Sequence, residues 1–398
     1  MTALRIRDVR LIVAAVGISA FGDMLLWLPL ALHLQAMTGS PIAVSAMFLA
    51  LFGPVALLGG VAGRLADRFE NRRLLLVVSA AQAVAVGTMA LLTGSLAAIL
   101  ALTAVVGVGA AIAQPAEFSL VPVAAGGRRL SEVNGLVESA RYLGMTIGPL
   151  AGGALVAAGA VELALLLDGA TFAAVAISAA LLHARRRPER VAGDSGRARE
   201  GFAVLAADPV LRVALPTAVG ALVFFSMSIT AEVFYVKDVL GASATAFGVL
   251  GTCWFGGMVF GAVALARRVP AGALAVAALA AIAVQGLGIA GAAAGGLLSV
   301  AFAGFTLGGV AHGVKNVLLR TLIHERVPES LRGRGFALYN AARNGAELAA
   351  LALGGVLVGA IGSQTALLLS GAIPLAIGLA ALLFITTPTR RTANAYEG

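Results

Sequence analysis

The sequence contains few charged residues and almost no cysteine. Of its 398 residues only 12% are charged and 60% are hydrophobic, and a water-soluble protein of this length cannot hide so much apolar surface. The single cysteine, Cys253, excludes an internal disulfide framework and a multi-cysteine metal site. The four histidines are scattered without the spacing of metal ligands, so we predict neither a metal centre nor a cofactor.

Long apolar runs recur from one end of the chain to the other. The hydrocarbon core of a bilayer is about 30 Å thick and needs roughly 20 apolar residues per helical crossing. The sequence therefore predicts an all-α membrane protein with twelve transmembrane helices in two sets of six. The predicted spans are 9–34, 42–63, 74–93, 96–120, 134–158, 161–183, 211–236, 245–266, 271–293, 297–319, 336–360 and 364–385.

One long polar stretch separates the two sets of helices. We predict a six-helix bundle over 1–183, a linker over 184–210, a second six-helix bundle over 211–387 and a tail over 388–398. The first part of the linker reads as a disordered basic segment, and its second part, around 202–211, as a helix on the membrane surface. The basic N-terminus resembles a signal peptide, but no small-residue cleavage site interrupts the following run, so we interpret it as a retained first helix.

The basic residues lie almost entirely on one side of the predicted helices. With the N-terminus inside, the inner segments hold 24 of the 28 Lys and Arg residues and the outer loops hold Lys237 alone. This distribution predicts an inner-membrane protein with both termini and the linker in the cytoplasm. It also explains the net charge of +9 without a nucleic-acid partner.

The two halves of the sequence align without gaps at an offset of 202 residues. Arg141 falls on Arg343, and 152–156 falls on 354–358. Two parallel repeats related by an axis along the membrane normal are one way in which transporters are built, with the binding site near the midplane. The repeat therefore predicts two pseudo-symmetric bundles that expose a central site to one side at a time.

The segment 63–73 reads Gly-Arg-Leu-Ala-Asp-Arg-Phe-Glu-Asn-Arg-Arg and resembles the signature loop of the major facilitator superfamily. The resemblance implies that Gly63 lets two helix ends approach closely and that Asp67 caps a helix or pairs with an arginine. It also implies that Arg68 lies at the lipid headgroups. Glu70 stands where the family usually has glycine. The alternative interpretation is a basic inner loop with no further role.

The fifth predicted helix carries a second pattern of small residues. Its members are Gly135, Gly144, Gly148, Pro149, Gly152 and Gly153. The pattern resembles the antiporter signature of the superfamily's drug:proton exporters, in which the proline bends the helix and helps to close the inward leak path. Glycines four residues apart also form a stripe for close helix packing, and general packing is the alternative interpretation.

Three short strings resemble the macrolide-efflux and siderophore (enterobactin) exporter branch of the superfamily. They are Phe21-Gly22-Asp23, Gln114-Pro115-Ala116 and the segment 208–212. The arginine that many relatives carry in the fourth helix is absent, which is a departure from the better-known exporters. The resemblance covers the whole chain and implies export of a small molecule.

Charged residues inside the predicted spans are functional candidates, because charge in hydrocarbon is costly. Asp23 lies near the middle of the first helix, which lines the cavity in the superfamily, and we interpret it as the proton-coupling residue. A structural hydrogen bond is the alternative, and Asp168 on the sixth helix is interpreted as structural. The residues interpreted as gating charges are Asp67, Arg68, Glu117, Glu138, Arg141, Arg343 and Glu347.

Spacing and position suggest partners for the gating charges. Glu117 is expected to pair with the segment 67–68, with a role in proton transfer as the alternative. Glu138 and Arg141 are three residues apart, and Arg343 and Glu347 are four apart, so each pair can form on one helix face.

Several aromatic and basic residues are candidates for the substrate cavity. They are Phe21, Trp27, Phe118, Phe224, Phe225, Phe302, Phe305, His312 and Lys315. Aromatic rings suit large amphipathic molecules, and His312 and Lys315 could attract an anion or titrate during transport. Lys315 could instead extend its amine to the inner interface.

These observations predict a secondary active transporter that exports amphipathic molecules, such as a drug, antibiotic or siderophore, by proton antiport and alternating access. Its partners would be the substrate and the lipid bilayer, and we expect a monomer. The chain has no Gly-x-x-x-x-Gly-Lys-Ser/Thr motif, so ATP does not drive it directly. The alternatives are a facilitator or importer of a small metabolite, a membrane-embedded enzyme and a sensor. The last two would need clustered catalytic residues or a soluble output domain.

Overall fold

The computed structural model describes residues 3–126, 130–185 and 197–386, and in these ranges the chain forms helices and connecting turns without β-strands. The α-helices are α1 Arg7–Thr38, α2 Pro41–Arg68, α3 Asn71–Leu91, α4 Leu96–Ala125, α5 Leu130–Ala157, α6 Val161–Leu181, α7 Arg197–Ala207, α8 Leu211–Phe234, α9 Ala244–Phe260, α10 Leu274–Gly295, α11 Leu298–Arg326, α12 Glu329–Ile361 and α13 Ser363–Thr386. Helices α8 and α9 continue into π-helical turns at Tyr235–Val239 and Gly261–Leu265.

By length and hydropathy, ten helical segments of the described chain can cross a membrane. Helices α5 and α11 are long enough but are outside this set, because their charged residues and glycines make them less apolar. The all-α prediction is confirmed in the described residues, whereas the number of twelve crossings stays a prediction.

The observed helices coincide with the predicted spans but extend further at several ends. Helix α2 continues to Arg68, five residues beyond its predicted end, and α11 continues to Arg326. Helix α12 begins at Glu329, earlier than the predicted 336. Hydropathy identifies only the apolar part of a helix, whereas backbone hydrogen bonding continues after the helix has left the hydrocarbon.

Contacts between residues divide the chain into two compact units. Unit 1 is Met1–Gly193, Met227–Phe255 and Leu348–Ala366, and unit 2 is Asp194–Ser226, Gly256–Glu347 and Leu367–Gly398. In unit 1, α1 packs against α5 and α6, α3 against α4 and α6, and α2 against α4. In unit 2, α10 packs against α11.

Unit 1 contains a pair of contacts that supports the internal repeat. A Cβ atom built on Gly153 of α5 would lie 2.5 Å from the carbonyl oxygen of Ala244, at the start of α9. A Cβ atom built on Gly355 of α12 would lie 2.6 Å from the carbonyl oxygen of Pro41, at the start of α2. Gly153 and Gly355 are 202 residues apart, so equivalent glycines make equivalent helix contacts.

The linker helix α7 differs from the predicted surface helix. It spans Arg197–Ala207 rather than 202–211, and Gly201 packs against the backbone of Arg334 in unit 2. Glu200 forms a salt bridge with Arg334, whereas Phe202 is exposed. One face of α7 is therefore covered by the N-terminal end of α12. The predicted disordered part of the linker, 186–196, and the tail 388–398 lie outside the described residues.

Candidate functional site

Asp23 lies about midway along α1, and its side chain is exposed although Gly22 and Met24 on either side are buried. Arg141 of α5 attracts its carboxylate, and Glu117 of α4 repels it. The carboxyl group therefore lies on the side of α1 where α4 and α5 carry their charges.

Arg141 is the centre of an ion-pair cluster in unit 1. Its Nη2 atom donates a hydrogen bond to Glu117 Oε1 at 2.7 Å, and its Nε atom lies 3.7 Å from Glu138 Oε1. The guanidinium also lies 5.9 Å from the centre of the Phe118 ring. The predicted pairing of Glu138 with Arg141 is present, but the expected pairing of Glu117 with 67–68 is wrong. The nearer cation is on the adjacent helix α5.

Asp168 is a fourth acidic residue of this region, and the sequence analysis interpreted it as structural. Its side chain is fully buried in α6, and Thr171 Oγ1 donates to its Oδ1 at 3.2 Å. Its other carboxyl oxygen, Oδ2, has no hydrogen-bond partner. Asp23 and Asp168 repel each other electrostatically, so the two carboxyl groups belong to one charged region.

Gly22 is the residue that lets Asp168 approach α1. A Cβ atom built on Gly22 would lie 2.5 Å from Asp168 Oδ1 and 2.9 Å from Thr171 Cβ, which no real side chain tolerates. The string Phe21-Gly22-Asp23 thus combines a packing glycine with a functional carboxyl group. A glycine directly before an intramembrane aspartate was the sequence signal that pointed to a close neighbour.

The glycine stripe of α5 packs directly against α1. A Cβ atom built on Gly144 would lie 2.5 Å from the carbonyl oxygen of Gly17, and one built on Gly148 would lie 2.5 Å from Met24 Cβ. One built on Gly152 would lie 3.2 Å from the carbonyl oxygen of Met24. These contacts hold the backbone around Asp23 close to the helix that carries Arg141.

An adjacent face of α5, about 100° round the helix, packs against α9 within unit 1. A Cβ atom on Gly251 would lie 2.8 Å from Pro149 Cβ, and one on Gly153 would lie 2.9 Å from Gly248 Cα. Gly135, by contrast, has open space within 4 Å of an added Cβ atom. Gly135 therefore has no part in this helix packing, in contrast to the other residues of the predicted motif.

A second charged cluster lies in unit 2 and centres on Lys315 of α11. The side chain is buried, with 4% of its surface exposed. Its Nζ atom donates to Gln285 Oε1 of α10 at 2.9 Å, lies 3.5 Å from His312 Nδ1 and lies 4.9 Å from the centre of the Phe225 ring. The alternative that Lys315 extends to the membrane interface is wrong, because the amine is bound inside the helix pair.

Arg343 and Glu347 of α12 add two charges near this cluster, and Gln285 contributes an unpaired amide nitrogen. Arg343 of α12 repels Lys315 and attracts Glu347 on its own helix, as the spacing of the last two predicted. Gln285 is fully buried, and its Nε2 atom has no hydrogen-bond partner. Sequence reasoning missed Gln285, although an amide within the apolar α10 was a visible signal.

Residues 12–344 match the family model of the Major Facilitator Superfamily. The chain belongs to this superfamily. It is 25% identical, over 94% of its own length and 92% of the relative's, to an uncharacterised transporter of the superfamily, YfiS of Bacillus subtilis (strain 168). It is thus a multi-pass membrane transporter.

Solved structures share the fold of this superfamily transporter. The nucleoside transporter NupG aligns with a TM-score of 0.74 at 11% identity, covering 96% of this chain and 100% of that one. A POT family transporter in complex with 5-aminolevulinic acid aligns with a TM-score of 0.74 at 11% identity, covering 95% and 96%. The human organic anion transporter MFSD10 (TETRAN) aligns with a TM-score of 0.60 at 18% identity, covering 94% and 99%.

The signature segment of this superfamily member is helical for more than half of its length. Residues 63–68 form the end of α2, so the segment is not the loop that the sequence suggested. An added Cβ atom on Gly63 would meet nothing within 4 Å, and the expected close approach of helix ends at Gly63 is therefore wrong. Asp67 is half-buried, and the Arg68 guanidinium lies 5.9 Å from the centre of the Phe69 ring.

Glu70 replaces the usual glycine of the superfamily without backbone strain. Its φ and ψ angles of −64° and 114° are extended, a conformation open to any residue. Its carboxylate lies 3.1 Å from Arg73 and 3.8 Å from Arg185. Glu70 thus connects the N-terminal end of α3 to the segment after α6.

The predicted cavity aromatics have very different exposures. Phe225 and Phe305 are buried, so the packed helices cover both rings. Phe118 is 52% exposed, whereas Phe21, Phe224 and Phe302 are half-buried. Trp27 is half-buried, lies 5.8 Å from Phe48 between ring centres, and donates through Nε1 to Met24 Sδ at 3.2 Å.

Proposed function

We propose that this transporter exports amphipathic small molecules, of the drug, antibiotic or siderophore type, across the cytoplasmic membrane in exchange for protons. The proposal includes alternating access by two pseudo-symmetric six-helix bundles with twelve transmembrane helices. Both termini are cytoplasmic, the protein acts as a monomer, and the proton is the coupling ion without any cofactor. The assignment to the drug:proton antiporter branch belongs to this proposal.

The observation that carries the proposal is the exposed carboxyl group of Asp23 midway along α1, beside the ion pair of Arg141 and Glu117. A carboxylate at this depth loses its costly charge when it binds a proton. Protonation also removes its attraction to Arg141, which then interacts with Glu117 and Glu138 alone. Proton binding at Asp23 thus changes the balance of forces between α1, α4 and α5.

The glycine contacts of α5 transmit this change. One face of α5 packs on α1 through Gly144 and Gly148, and the adjacent one packs on α9 through Pro149 and Gly153. Because these backbones are in direct contact, a shift of α1 against α5 must also change the contact of α5 with α9. We assign the role of the antiporter motif to this connection.

The remaining charged candidates act as an inner gate in this proposal. Asp67 and Arg68 lie at the end of α2, and Arg343 and Glu347 lie on α12. Each set contains one acidic and one basic residue, so each of the two helices can supply a charge of either sign.

A second candidate function is facilitated transport or import of a small metabolite. Solved structures with this fold include the nucleoside transporter NupG and a POT family transporter bound to 5-aminolevulinic acid. A fold does not determine the direction of transport. The buried cation Lys315 also suits a small anionic metabolite better than a cationic drug.

Transport in proteoliposomes tests the proposal. Purified protein would be reconstituted with an imposed pH gradient, and the movement of 8-anilinonaphthalene-1-sulfonate, an amphipathic organic anion, would be followed by fluorescence. We expect movement that depends on the gradient in the wild type, is lost in Asp23→Asn and is retained in Glu162→Gln, an exposed carboxylate at the start of α6. Dye movement that does not depend on the pH gradient, or that is unchanged in Asp23→Asn, would overturn proton antiport through Asp23.

A further inference from the structure

Lys315 is a buried cation without a counter-charge in the described part of the chain. Its hydrogen-bond acceptor is the neutral amide of Gln285, at 2.9 Å, and the charged group that acts on it, Arg343, is repulsive. The charged groups that act on His312 are again Lys315 and Arg343. A buried ammonium group without an anion is costly, so an anion that reaches Lys315 gains more than the strength of a hydrogen bond.

Two other cations inside the helices have acidic groups near them. Glu347 attracts Arg343 on the same helix, and Arg141 has Glu117 at 2.7 Å. Lys315 differs in this respect from Arg141 and Arg343. Within residues 3–126, 130–185 and 197–386, no acidic group partners Lys315, which leaves the position open to an anionic ligand.

One donor next to Lys315 lacks an acceptor. The Nε2 atom of Gln285 is fully buried without a hydrogen-bond partner, while the Oε1 atom of the same amide accepts from Lys315. The ammonium group of Lys315 and the amide N–H of Gln285 can together bind two oxygens of one carboxylate, sulfonate or phosphate. An unsatisfied amide N–H beside an ammonium group whose acceptor is neutral is the local chemistry of an anion site.

Phe225 provides an aromatic surface beside Lys315. Its ring centre is 4.9 Å from Lys315 Nζ, and Phe224 next to it in α8 is half-buried. Aromatic rings pack well against apolar or aromatic groups. The neighbourhood therefore combines an anion-binding end with an aromatic wall.

We propose that Lys315 and Gln285, flanked by His312, Arg343 and Phe225, form the binding site for the anionic oxygen group of an amphipathic molecule. This inference names the substrate class of the transport proposed above, and it depends on that proposal only for the statement that the ligand is moved. An organic acid and the headgroup of an anionic lipid share the required chemistry. The site is closed to cationic drugs, because three of its five residues are basic.

Equilibrium binding with a matched probe pair tests the site. The full chain in phosphatidylcholine nanodiscs would be titrated with 2-naphthoate and with 2-naphthamide, which have the same ring system. A hydrogen bond to a charged partner contributes about 1.5–3 kcal/mol, so we expect the carboxylate to bind about tenfold or more tightly than the amide. Lys315→Gln should remove this preference, and Lys237→Gln, which changes a cation elsewhere, should retain it.

A second variant keeps the test decisive if Lys315→Gln does not fold. Gln285→Glu supplies a carboxylate of nearly the same shape beside Lys315, so the ammonium group gains an internal partner. The variant should lose the preference for 2-naphthoate while it still binds 2-naphthamide. An unchanged preference in both Lys315→Gln and Gln285→Glu, or no preference in the wild type, would overturn the site.

Two further arms identify the ligand source and separate this inference from the transport proposal. Phosphatidylglycerol in the nanodiscs should weaken 2-naphthoate binding in the wild type if a lipid headgroup occupies the site, and should have no effect if the ligand is a soluble organic acid. Either result supports an anion site. Asp23→Asn should abolish proton-driven transport but retain the 2-naphthoate preference, because binding at equilibrium needs no proton gradient.

Discussion

The acidic region of unit 1, around Asp23 and Arg141, and the basic region of unit 2, around Lys315, differ in how their charged groups are partnered. In the first, Arg141 is 2.7 Å from Glu117, and the carboxyl group of Asp23 is exposed. In the second, Lys315 is buried against the neutral Gln285 at 2.9 Å. We therefore propose a proton as the ligand of the first region and an anion as the ligand of the second.

The repeat makes the contrast sharper. Asp23 and Phe225 are 202 residues apart, so the position of the acidic candidate in the first half carries an aromatic ring in the second. That ring is the one that Lys315 faces at 4.9 Å. The two halves have therefore kept equivalent helix contacts, such as those of Gly153 and Gly355, while their charged sites have diverged.

The largest effect is expected from Asp23→Asn. The change removes the group that binds the proton but retains the shape of the side chain, so proton-driven transport should fall about tenfold or more. Lys315→Gln should leave proton-driven transport of a neutral substrate intact. Rates under an imposed pH gradient would measure both, and equal losses in the two variants would contradict the division of roles.

Gly22→Ala should have the next largest effect, on stability. The added Cβ atom would lie 2.5 Å from Asp168 Oδ1 and 2.9 Å from Thr171 Cβ, and overpacking of this kind costs about 1–3 kcal/mol. Thermal unfolding in detergent, followed by circular dichroism, would measure the loss. Gly135→Ala is the matched control because open space surrounds that position. A Gly22→Ala variant as stable as the control would show that α6 does not pack this closely on α1.

Glu117→Gln should destabilise unit 1 by a smaller amount. It removes a 2.7 Å charge-assisted bond between side chains that are 21% and 27% exposed, and such a bond is worth about 1 kcal/mol in partly solvated surroundings. Glu138→Gln is the control, since its carboxylate lies 3.7 Å from Arg141 and is 43% exposed. The same unfolding measurement should place the loss for Glu117→Gln above that for the control, and the reverse order would assign Arg141 to Glu138.

The smallest effect is expected from Asp208→Asn, in a part of unit 2 where charges do pair. Burial raises the pKa of Asp208, but hydrogen bonds from the backbone N–H of Leu211 and from Arg326, with the charge of Arg326, outweigh burial and hold the pKa below its usual value. The carboxylate accepts from Leu211 at 2.8 Å and from Arg326 at 2.9 Å. Asp208 therefore caps the N-terminal end of α8.

Because the pKa is lower in the folded state, the stabilisation by Asp208 is fully present above the unfolded pKa and is lost as the pH falls through the folded pKa. Asp208→Asn should cost about 0.5–1 kcal/mol near neutral pH, typical of a lost cap charge. The difference from the wild type should shrink in acid. Unfolding temperatures measured across the acidic range would check this, and a difference that grows in acid would contradict it.

Much of the fold could be predicted from the sequence because the bilayer imposes a local rule. A helix that crosses hydrocarbon needs a run of apolar residues of fixed length, and each run can be identified without knowledge of its neighbours. The predicted starts of α4 at Leu96, α6 at Val161 and α8 at Leu211 coincide with the observed starts. The glycine stripe of α5 was visible for the same reason, since four-residue spacing is local.

The partners that charged side chains find on other helices were decided only by the tertiary structure. Glu117 and Arg141 are 24 residues apart, Lys315 and Gln285 are 30 apart, and Asp168 meets the distant Gly22. Nothing local in an apolar helix specifies which neighbour its single polar residue will face, because many rotations of the helix bury similar area in lipid. The choice between them depends on small residues on adjacent helices, whose contacts exist only when the chain has folded.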